Sequence, residues 1–157
     1  MTDEGIGVRL VLELERRLAT TRRDVAFCDL GTGGFNVLNA IAGRSRALII
    51  DCARMGAAPG TIRRFTPTDV TSVKTLTNFS LHEGDLLQTL HLAAELGEAP
   101  ETILIFGVEP ARVAPGDELS ECLREQIPDY VNCIARDLHP NSDNQEPCTN
   151  SRSPKDW

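Results

Sequence analysis

The chain has few basic side chains for its length and lacks any long apolar run. Its 157 residues include 16 lysines and arginines against 23 aspartates and glutamates, a formal net charge of -7 at pH 7. This balance argues against nucleic acid or an anionic membrane as the main partner, because both repel a negative surface. No uninterrupted apolar stretch approaches the roughly 20 residues that a membrane helix needs. We therefore expect a protein that binds neither nucleic acid nor membranes.

The cysteines also lack a pattern, since none of the 5 belongs to a Cys-x-x-Cys pair. An odd number without paired spacing disfavours a disulfide framework or a zinc ribbon and fits reduced thiols. The sequence shows no basic region followed by an apolar one, so it contains no recognisable signal peptide. These features predict a cytoplasmic protein. Cys28 and Cys52 lie in short apolar runs and are expected to be small core residues.

The length fits a single domain with its own core. Hydrophobic residues make up 41% of the chain and charged residues 25%, which is ordinary for a globular protein. From His139 onward the sequence is polar, with three prolines and almost no apolar residues. We predict one domain over residues 1–138 and a disordered polar tail over residues 139–157.

Short apolar runs alternate with helical patterns along the chain. Strands are predicted at residues 25–28, 47–50, 61–65 and 102–108, with 61–65 at an edge of the sheet. Helices are predicted at residues 35–42, from a Ser-x-x-Glu capping box at Ser80 to about residue 96, and at about residues 118–138. This alternation predicts an α/β fold, a three-layer α/β/α sandwich with a mostly parallel sheet.

The first helix follows a pair of acidic residues. Apolar side chains recur every four positions between residues 10 and 18, which predicts an amphipathic helix. Thr2 can cap this helix, and Asp3 and Glu4 would then lie in its first turn, where the helix dipole favours carboxylates. Stabilisation of the helix is therefore the simplest role for both acids.

Three residues predicted at the ends of elements could form a metal site. Glu4 lies in the first turn of one helix, Asp51 ends a buried strand, and His82 lies in the first turn of another helix. A helix N-terminus disfavours imidazolium, so His82 would keep a neutral nitrogen for a metal. Two carboxylates and an imidazole suit a first-row divalent ion. Helix capping and solvated charges are the alternative roles for these residues.

Five segments, in order, give the chain a resemblance to the hydrogenase maturation proteases. They are Asp3-Glu4-Gly5-Ile6-Gly7, Asp29-Leu30-Gly31-Thr32-Gly33-Gly34, Leu48-Ile49-Ile50-Asp51-Cys52 with Ala58-Pro59-Gly60-Thr61, Ser80-Leu81-His82-Glu83, and Phe106-Gly107-Val108-Glu109-Pro110. Together they span about residues 2–138. In that family a further strand precedes the first segment, so the resemblance implies a sheet whose first strand is missing from this chain.

The resemblance implies an endopeptidase that removes the C-terminal extension of the nickel-iron hydrogenase large-subunit precursor after nickel insertion. The nickel belongs to the substrate, so no tightly bound cofactor of the protein's own is expected, and the protein is expected to be a monomer. By position in the motifs, Glu4, Asp51 and His82 would contact this nickel. The turn that holds Asp29, Gly31, Thr32 and Gly33 would help to bind the C-terminal segment of the substrate. Its glycines also have a simpler explanation, a tight turn between a strand and a helix.

Two other functions stay open at this point. The run from Val25 to Gly34 also resembles the strand and glycine loop of S-adenosylmethionine-dependent methyltransferases, in which Asp51 would bind the ribose hydroxyls. A non-catalytic relative that only binds the hydrogenase precursor or nickel would keep the same metal-contacting residue types. Neither a Ser-His-Asp arrangement nor a His-Glu-x-x-His helix occurs, so the sequence supports neither a serine protease nor a zincin.

Overall fold

A computed structural model of the chain describes residues 2–31, 34–74, 80–81, 85–116 and 118–138. A single 3-10 turn, Asp3–Gly5, precedes the first α-helix. The α-helices are α1 (Ile6–Leu18), α2 (Gly34–Ile41), α3 (Pro67–Lys74), α4 (Asp85–Glu95) and α5 (Glu121–Asp137), and the strands are β1 (Arg46–Arg54), β2 (Ile62–Phe65), β3 (Ser80–Leu81) and β4 (Thr102–Val108). The predicted tail, residues 139–157, lies outside the described residues. None of the helices described could cross a membrane, because none is both long and apolar enough.

The four strands form one sheet in the order β2-β4-β1-β3. The longest pairing is parallel and joins β1 to β4, from Arg46 opposite Thr102 to Cys52 opposite Val108. The two outer strands are short and antiparallel, β2 against β4 and β3 against β1. The edge position predicted for residues 61–65 is confirmed by β2.

Helices cover both faces of this sheet. Alternate side chains of β1 pack against two different sets of helices. Leu48 and Ile50 pack into a core cluster with residues of α1 and α5. Ala47 and Ile49 point to the opposite face and pack with residues of α2, α3 and α4. Successive side chains of a strand alternate between the faces of its sheet, so each face of β1 supplies one core. The predicted α/β/α sandwich is therefore confirmed.

The strand predicted at residues 25–28 does not form. Ala26 and Cys28 are exposed, and Phe27 is the residue of this run that packs against the core of α1 and α5. A strand needs a backbone partner, and no strand of the described residues pairs with this segment. Two of the predictions are therefore wrong, the buried strand and the assignment of Cys28 to the core. Cys52, the other cysteine assigned to the core, is buried.

Two further boundaries differ from the prediction near the candidate metal residues. The strand expected to end at Asp51 continues to Arg54, because β3 pairs with its last residues, with Ala53 opposite Leu81. Ser80 also belongs to β3, so it does not cap the following helix, whose described part begins at Asp85. The predicted capping box is therefore wrong, since an N-cap directly precedes its helix and the residue after Ser80, Leu81, is also part of β3.

Gly7 sets how closely α1 approaches the sheet. A Cβ atom placed on Gly7 would lie 2.5 Å from the carbonyl oxygen of Ile50 and 3.6 Å from Cα of Asp51. Only glycine allows the helix backbone to pass this near to a strand. The first turn of α1 is thereby held against β1 at the position of Asp51.

Replacing Gly7 by Ala should therefore destabilise the fold, although alanine is the better helix former. The added methyl group meets backbone rather than a movable side chain, and we expect a loss of about 1–3 kcal/mol in the free energy of unfolding. Gly5→Ala is the matched control, because a Cβ there has no atom within 4 Å. Urea denaturation of both variants measures the difference, and equal stabilities would contradict the close packing of α1 on β1.

Candidate functional site

The buried carboxylate of Asp3 joins the beginning of the chain to the segment that follows β4. Asp3 has 0% of its surface exposed. Its Oδ2 accepts hydrogen bonds from the backbone N–H groups of Ala111 at 2.9 Å and Arg112 at 2.7 Å. Ser120 donates its N–H to Oδ1 at 2.7 Å and its hydroxyl to Oδ2 at 3.0 Å. These donors compensate for the desolvation of the carboxylate, so Asp3 has a structural role.

Thr2 strengthens the same connection instead of capping α1. Its hydroxyl donates to the carbonyl oxygen of Arg112 at 2.8 Å and accepts from the N–H of Ala114 at 3.0 Å. The 3-10 turn Asp3–Gly5 separates Thr2 from the first residue of α1, and Thr2 makes no side-chain cap to that turn. The predicted cap is therefore wrong, and Asp3 and Glu4 lie in this turn rather than in the first turn of α1.

Glu4 differs from its neighbour in accessibility. Asp3 is completely buried, whereas Glu4 is only partly buried. Two consecutive acids in the sequence thus have different environments, and Glu4 is the more exposed of the two. The sequence offered no signal for this distinction, because it depends on the hydrogen bonds that Ala111, Arg112 and Ser120 donate to Asp3.

Asp51 lies within β1 and beside the start of α1. It is partly exposed, and its Oδ1 accepts the N–H of Cys52 at 2.8 Å. By alternation along the strand its side chain belongs to the face on which Ile49 and Ala53 pack. The close approach of Gly7 brings the helix to this point, three residues after Glu4.

The thiol of Cys52 lies in an acidic environment. Burial, the largest cause, and the negative charges of Asp51, Glu4 and Asp3 together raise the pKa of this thiol to about 12. The contact that links the start of α1 to β1 is at Gly7, where an added Cβ atom would lie 3.6 Å from Cα of Asp51. Glu4, three residues before Gly7, therefore belongs to the turn that precedes this contact.

His82, the third predicted metal ligand, lies outside the described residues. The residue before it, Leu81, pairs with Ala53, two positions beyond Asp51. Within the described part of the chain, no three His, Cys, Asp or Glu side chains are grouped closely enough to hold a metal ion.

The predicted substrate-binding turn is described in part, because Thr32 and Gly33 also lie outside the described residues. Asp29 is exposed, and its Oδ1 accepts the N–H of Gly31 at 3.0 Å. Gly31 has a φ of 57°, a left-handed conformation that favours glycine. This is the geometry of an Asx turn, in which an aspartate stabilises a tight bend. Substrate binding by Asp29 and Gly31 stays a prediction.

Glu109, directly after β4, holds the carboxyl end of the sheet together. It is 8% exposed, and its Oε2 accepts the N–H groups of Met55 at 2.6 Å and Ala57 at 3.1 Å. Its backbone N–H donates to the carbonyl oxygen of Thr61 at 2.9 Å. Glu109 thus fixes the segment that follows β1.

The comparisons with known proteins define the family. The model of the hydrogenase maturation protease family, HycI, matches residues 8–137. The chain therefore belongs to the hydrogenase maturation protease family. The match begins after Glu4, so the assignment of that residue depends on the motif and the geometry.

Individual relatives agree with this family. The chain is 31% identical over 129 residues to the hydrogenase expression/formation protein HupD of Thiocapsa roseopersicina, with 82% of this chain and 57% of HupD covered. It is 33% identical over 128 residues to hydrogenase 2 maturation protease of Escherichia coli, with coverage of 81% and 77%. The chain thus spans little more than half the length of HupD.

The solved structures show the same fold. The hydrogenase maturating endopeptidase HybD from E. coli aligns with a TM-score of 0.71 and 25% identity, covering 95% of this chain and 90% of HybD. HybD from Thermococcus kodakarensis aligns with a TM-score of 0.66 at 24% identity, covering 88% of this chain and 90% of that protein. The methyltransferase alternative, by contrast, depended on a strand at residues 25–28, and that strand does not form.

The different environments of Asp3 and Glu4 lead to a stability prediction. Asp3→Asn should lower the free energy of unfolding by about 1–3 kcal/mol, because an amide cannot accept all four hydrogen bonds. Glu4→Gln removes the same charge from a more exposed position and should change stability by less than about 0.5 kcal/mol. Thermal and urea unfolding of the two variants provide the comparison. A larger loss for Glu4→Gln would mean that the structural roles of the two acids are reversed.

Proposed function

We propose that this protein is an endopeptidase that removes the C-terminal extension of a nickel-iron hydrogenase large-subunit precursor after nickel insertion. It would recognise the nickel held by that precursor through Glu4, Asp51 and His82. The observation that supports the proposal is the close approach of the start of α1 to β1 at Asp51 in a chain of this family. Gly7 permits this approach, and Glu4 lies three residues before it.

The chemistry of these residue types suits nickel that already has ligands of its own. Two carboxylates and one imidazole are an incomplete set for a first-row divalent ion. Thiolates of the precursor would supply the remaining ligands, so the shared site would close only around a loaded substrate. Cleavage would then depend on successful nickel insertion, a form of specificity by induced assembly of the site.

The assignment of His82 to this site depends on its position in the chain. It directly follows Leu81, and the pairing of Leu81 with Ala53 brings the chain to the end of β1 that follows Asp51. The proposal therefore requires the His82 imidazole to reach the corner occupied by Asp51 and Glu4. Nickel would come with the substrate, and the protein would need no resident cofactor.

The turn that begins at Asp29 would contact the C-terminal segment of the precursor, with Gly31, Thr32 and Gly33 leaving room for an extended peptide. We also propose that the protein acts as a monomer in the cytoplasm. The described cysteines, Cys28, Cys52, Cys122 and Cys133, are free thiols, which suits a reducing compartment.

The test is cleavage of matched precursors. Purified protein should shorten the nickel-loaded large-subunit precursor encoded in the same genome at its C-terminus and leave the nickel-free form intact, as followed by intact-mass spectrometry. Glu4→Gln, Asp51→Asn and His82→Ala should each reduce the cleavage rate by at least about 100-fold, the upper part of the range seen when groups around a metal are lost.

Two exposed residues supply matched controls. Glu15→Gln repeats the substitution on the outer surface of α1, and His91→Ala repeats the histidine substitution on α4, where the His91 side chain is 80% exposed. Both should retain full activity. Equal cleavage of loaded and nickel-free precursor would overturn nickel recognition, and stable binding without cleavage would favour the non-catalytic alternative.

A further inference from the structure

A cleft of about 340 Å³ opens at the carboxyl end of the sheet, and two arginines line it. Arg54 is the last residue of β1, and Arg112 belongs to the segment that follows β4. Both residues are exposed. Among the described residues, neither arginine side chain has an ion-pair partner.

The local charge of this cleft is opposite to that of the whole chain. The protein carries a formal net charge of -7, yet two arginines and one glutamate are the charged residues that line this cleft. The acid that also lines it, Glu109, is 8% exposed and already accepts the backbone N–H groups of Met55 and Ala57. Glu109 therefore stabilises the wall of the cleft, and the arginines remain available to an anion from outside.

Backbone contacts fix both arginines in position. Arg54 pairs with Ser80 in the sheet. Arg112 donates its N–H to the buried carboxylate of Asp3 at 2.7 Å and its carbonyl oxygen accepts the hydroxyl of Thr2 at 2.8 Å. The two side chains therefore start from fixed points at the cleft, and only their own rotamers have to be ordered when an anion binds.

The same contacts place the cleft beside the candidate nickel-recognition residues. Arg112 is bonded to Asp3, the neighbour of Glu4, and Arg54 lies three residues beyond Asp51 on the same strand, about 10 Å further along it. A polypeptide that extends from Glu4 along the carboxyl end of the sheet can therefore reach the cleft. Guanidinium groups bind carboxylates strongly, in many cases with two parallel hydrogen bonds.

We propose that the cleft between Arg54 and Arg112 binds a carboxylate of the polypeptide substrate. The carboxylate would come from an acidic side chain or from the free C-terminus of the segment to be removed. The identity of the ligand as a peptide rests on the proposed function, whereas anion binding by the two arginines rests on the cleft itself. The interaction would orient the substrate while the other site contacts nickel.

A binding experiment with short peptides tests the cleft without any cleavage. Isotope-labelled protein is titrated with acetyl-Gly-Ala-Asp-Gly-amide, with the Asn analogue, and with acetyl-Gly-Ala-Ala-Gly bearing a free C-terminus. NMR shifts of the Arg54 and Arg112 side chains and of nearby amides report binding. We expect saturable binding, with Kd on the order of millimolar, for at least one of the carboxylate peptides and none for the Asn amide. Comparing the two carboxylate peptides shows whether the cleft prefers an acidic side chain or a free C-terminus.

Variants of the arginines supply the control. Arg54→Gln and Arg112→Gln should each weaken carboxylate binding about fivefold to tenfold, as expected when one charged hydrogen-bond donor is lost. Arg44→Gln, an exposed arginine before β1, removes the same charge away from the cleft and should leave the affinity unchanged. Equal binding of the Asn peptide, or an equal loss with Arg44→Gln, would overturn the proposal.

A kinetic measurement then separates this proposal from the proposed function. With a cleavable precursor, the two cleft variants should raise KM with kcat largely unchanged, because they remove binding rather than chemistry. An unchanged KM in both variants would contradict a role in substrate binding. If no precursor is cleaved, the proposed function fails, and the peptide titration still decides whether the cleft binds carboxylates.

Discussion

The structure depends on one buried carboxylate. Asp3 accepts hydrogen bonds from three backbone N–H groups and from a serine hydroxyl, all of them within residues 111–120. A buried charge is tolerated only when it is compensated in this way. The network fastens the 3-10 turn to the segment after β4, and it thereby positions both the accessible Glu4 and the backbone of Arg112. The candidate nickel site and the arginine cleft are two consequences of the same connection.

Gly7 adds the second constraint, which sets the distance between α1 and β1. Its missing side chain lets α1 approach the carbonyl oxygen of Ile50 and the backbone of Asp51. The acid-acid-Gly-Ile-Gly pattern can thus be divided by role. Asp3 anchors the segment, Glu4 is the more exposed acid and the proposed nickel contact, and Gly7 permits the contact with β1.

The sequence predicted the elements whose signal is local. The continuous apolar run of β4 and the edge character of β2 were predicted correctly, because burial on both faces or on one face is visible in the order of side chains. The strand at residues 25–28 was wrong, since a short apolar run does not reveal whether a neighbouring strand exists to pair with it. Ser80 has the chemistry of a helix cap, yet its pairing beside Arg54 overrides that local preference.

The candidate site was harder to predict than the fold because it depends on contacts between distant segments. Motif order alone selected Glu4, Asp51 and His82, and their joint role in a nickel site stays a prediction. Nothing in the sequence indicated that Asp3 is buried while Glu4 is accessible. That Arg54 and Arg112 line one cleft could not be predicted either, because they belong to distant segments that follow β1 and β4.

The proposed nickel recognition requires this protein to supply ligands to nickel held by its substrate. X-ray absorption at the nickel edge measures this directly, on the loaded precursor alone and on its complex with the protein before cleavage. We expect additional oxygen and nitrogen ligands in the complex, with the nitrogen contribution lost in His82→Ala and one oxygen lost in Glu4→Gln. An identical nickel environment in the free precursor and in the complex would show that the protein does not bind the metal.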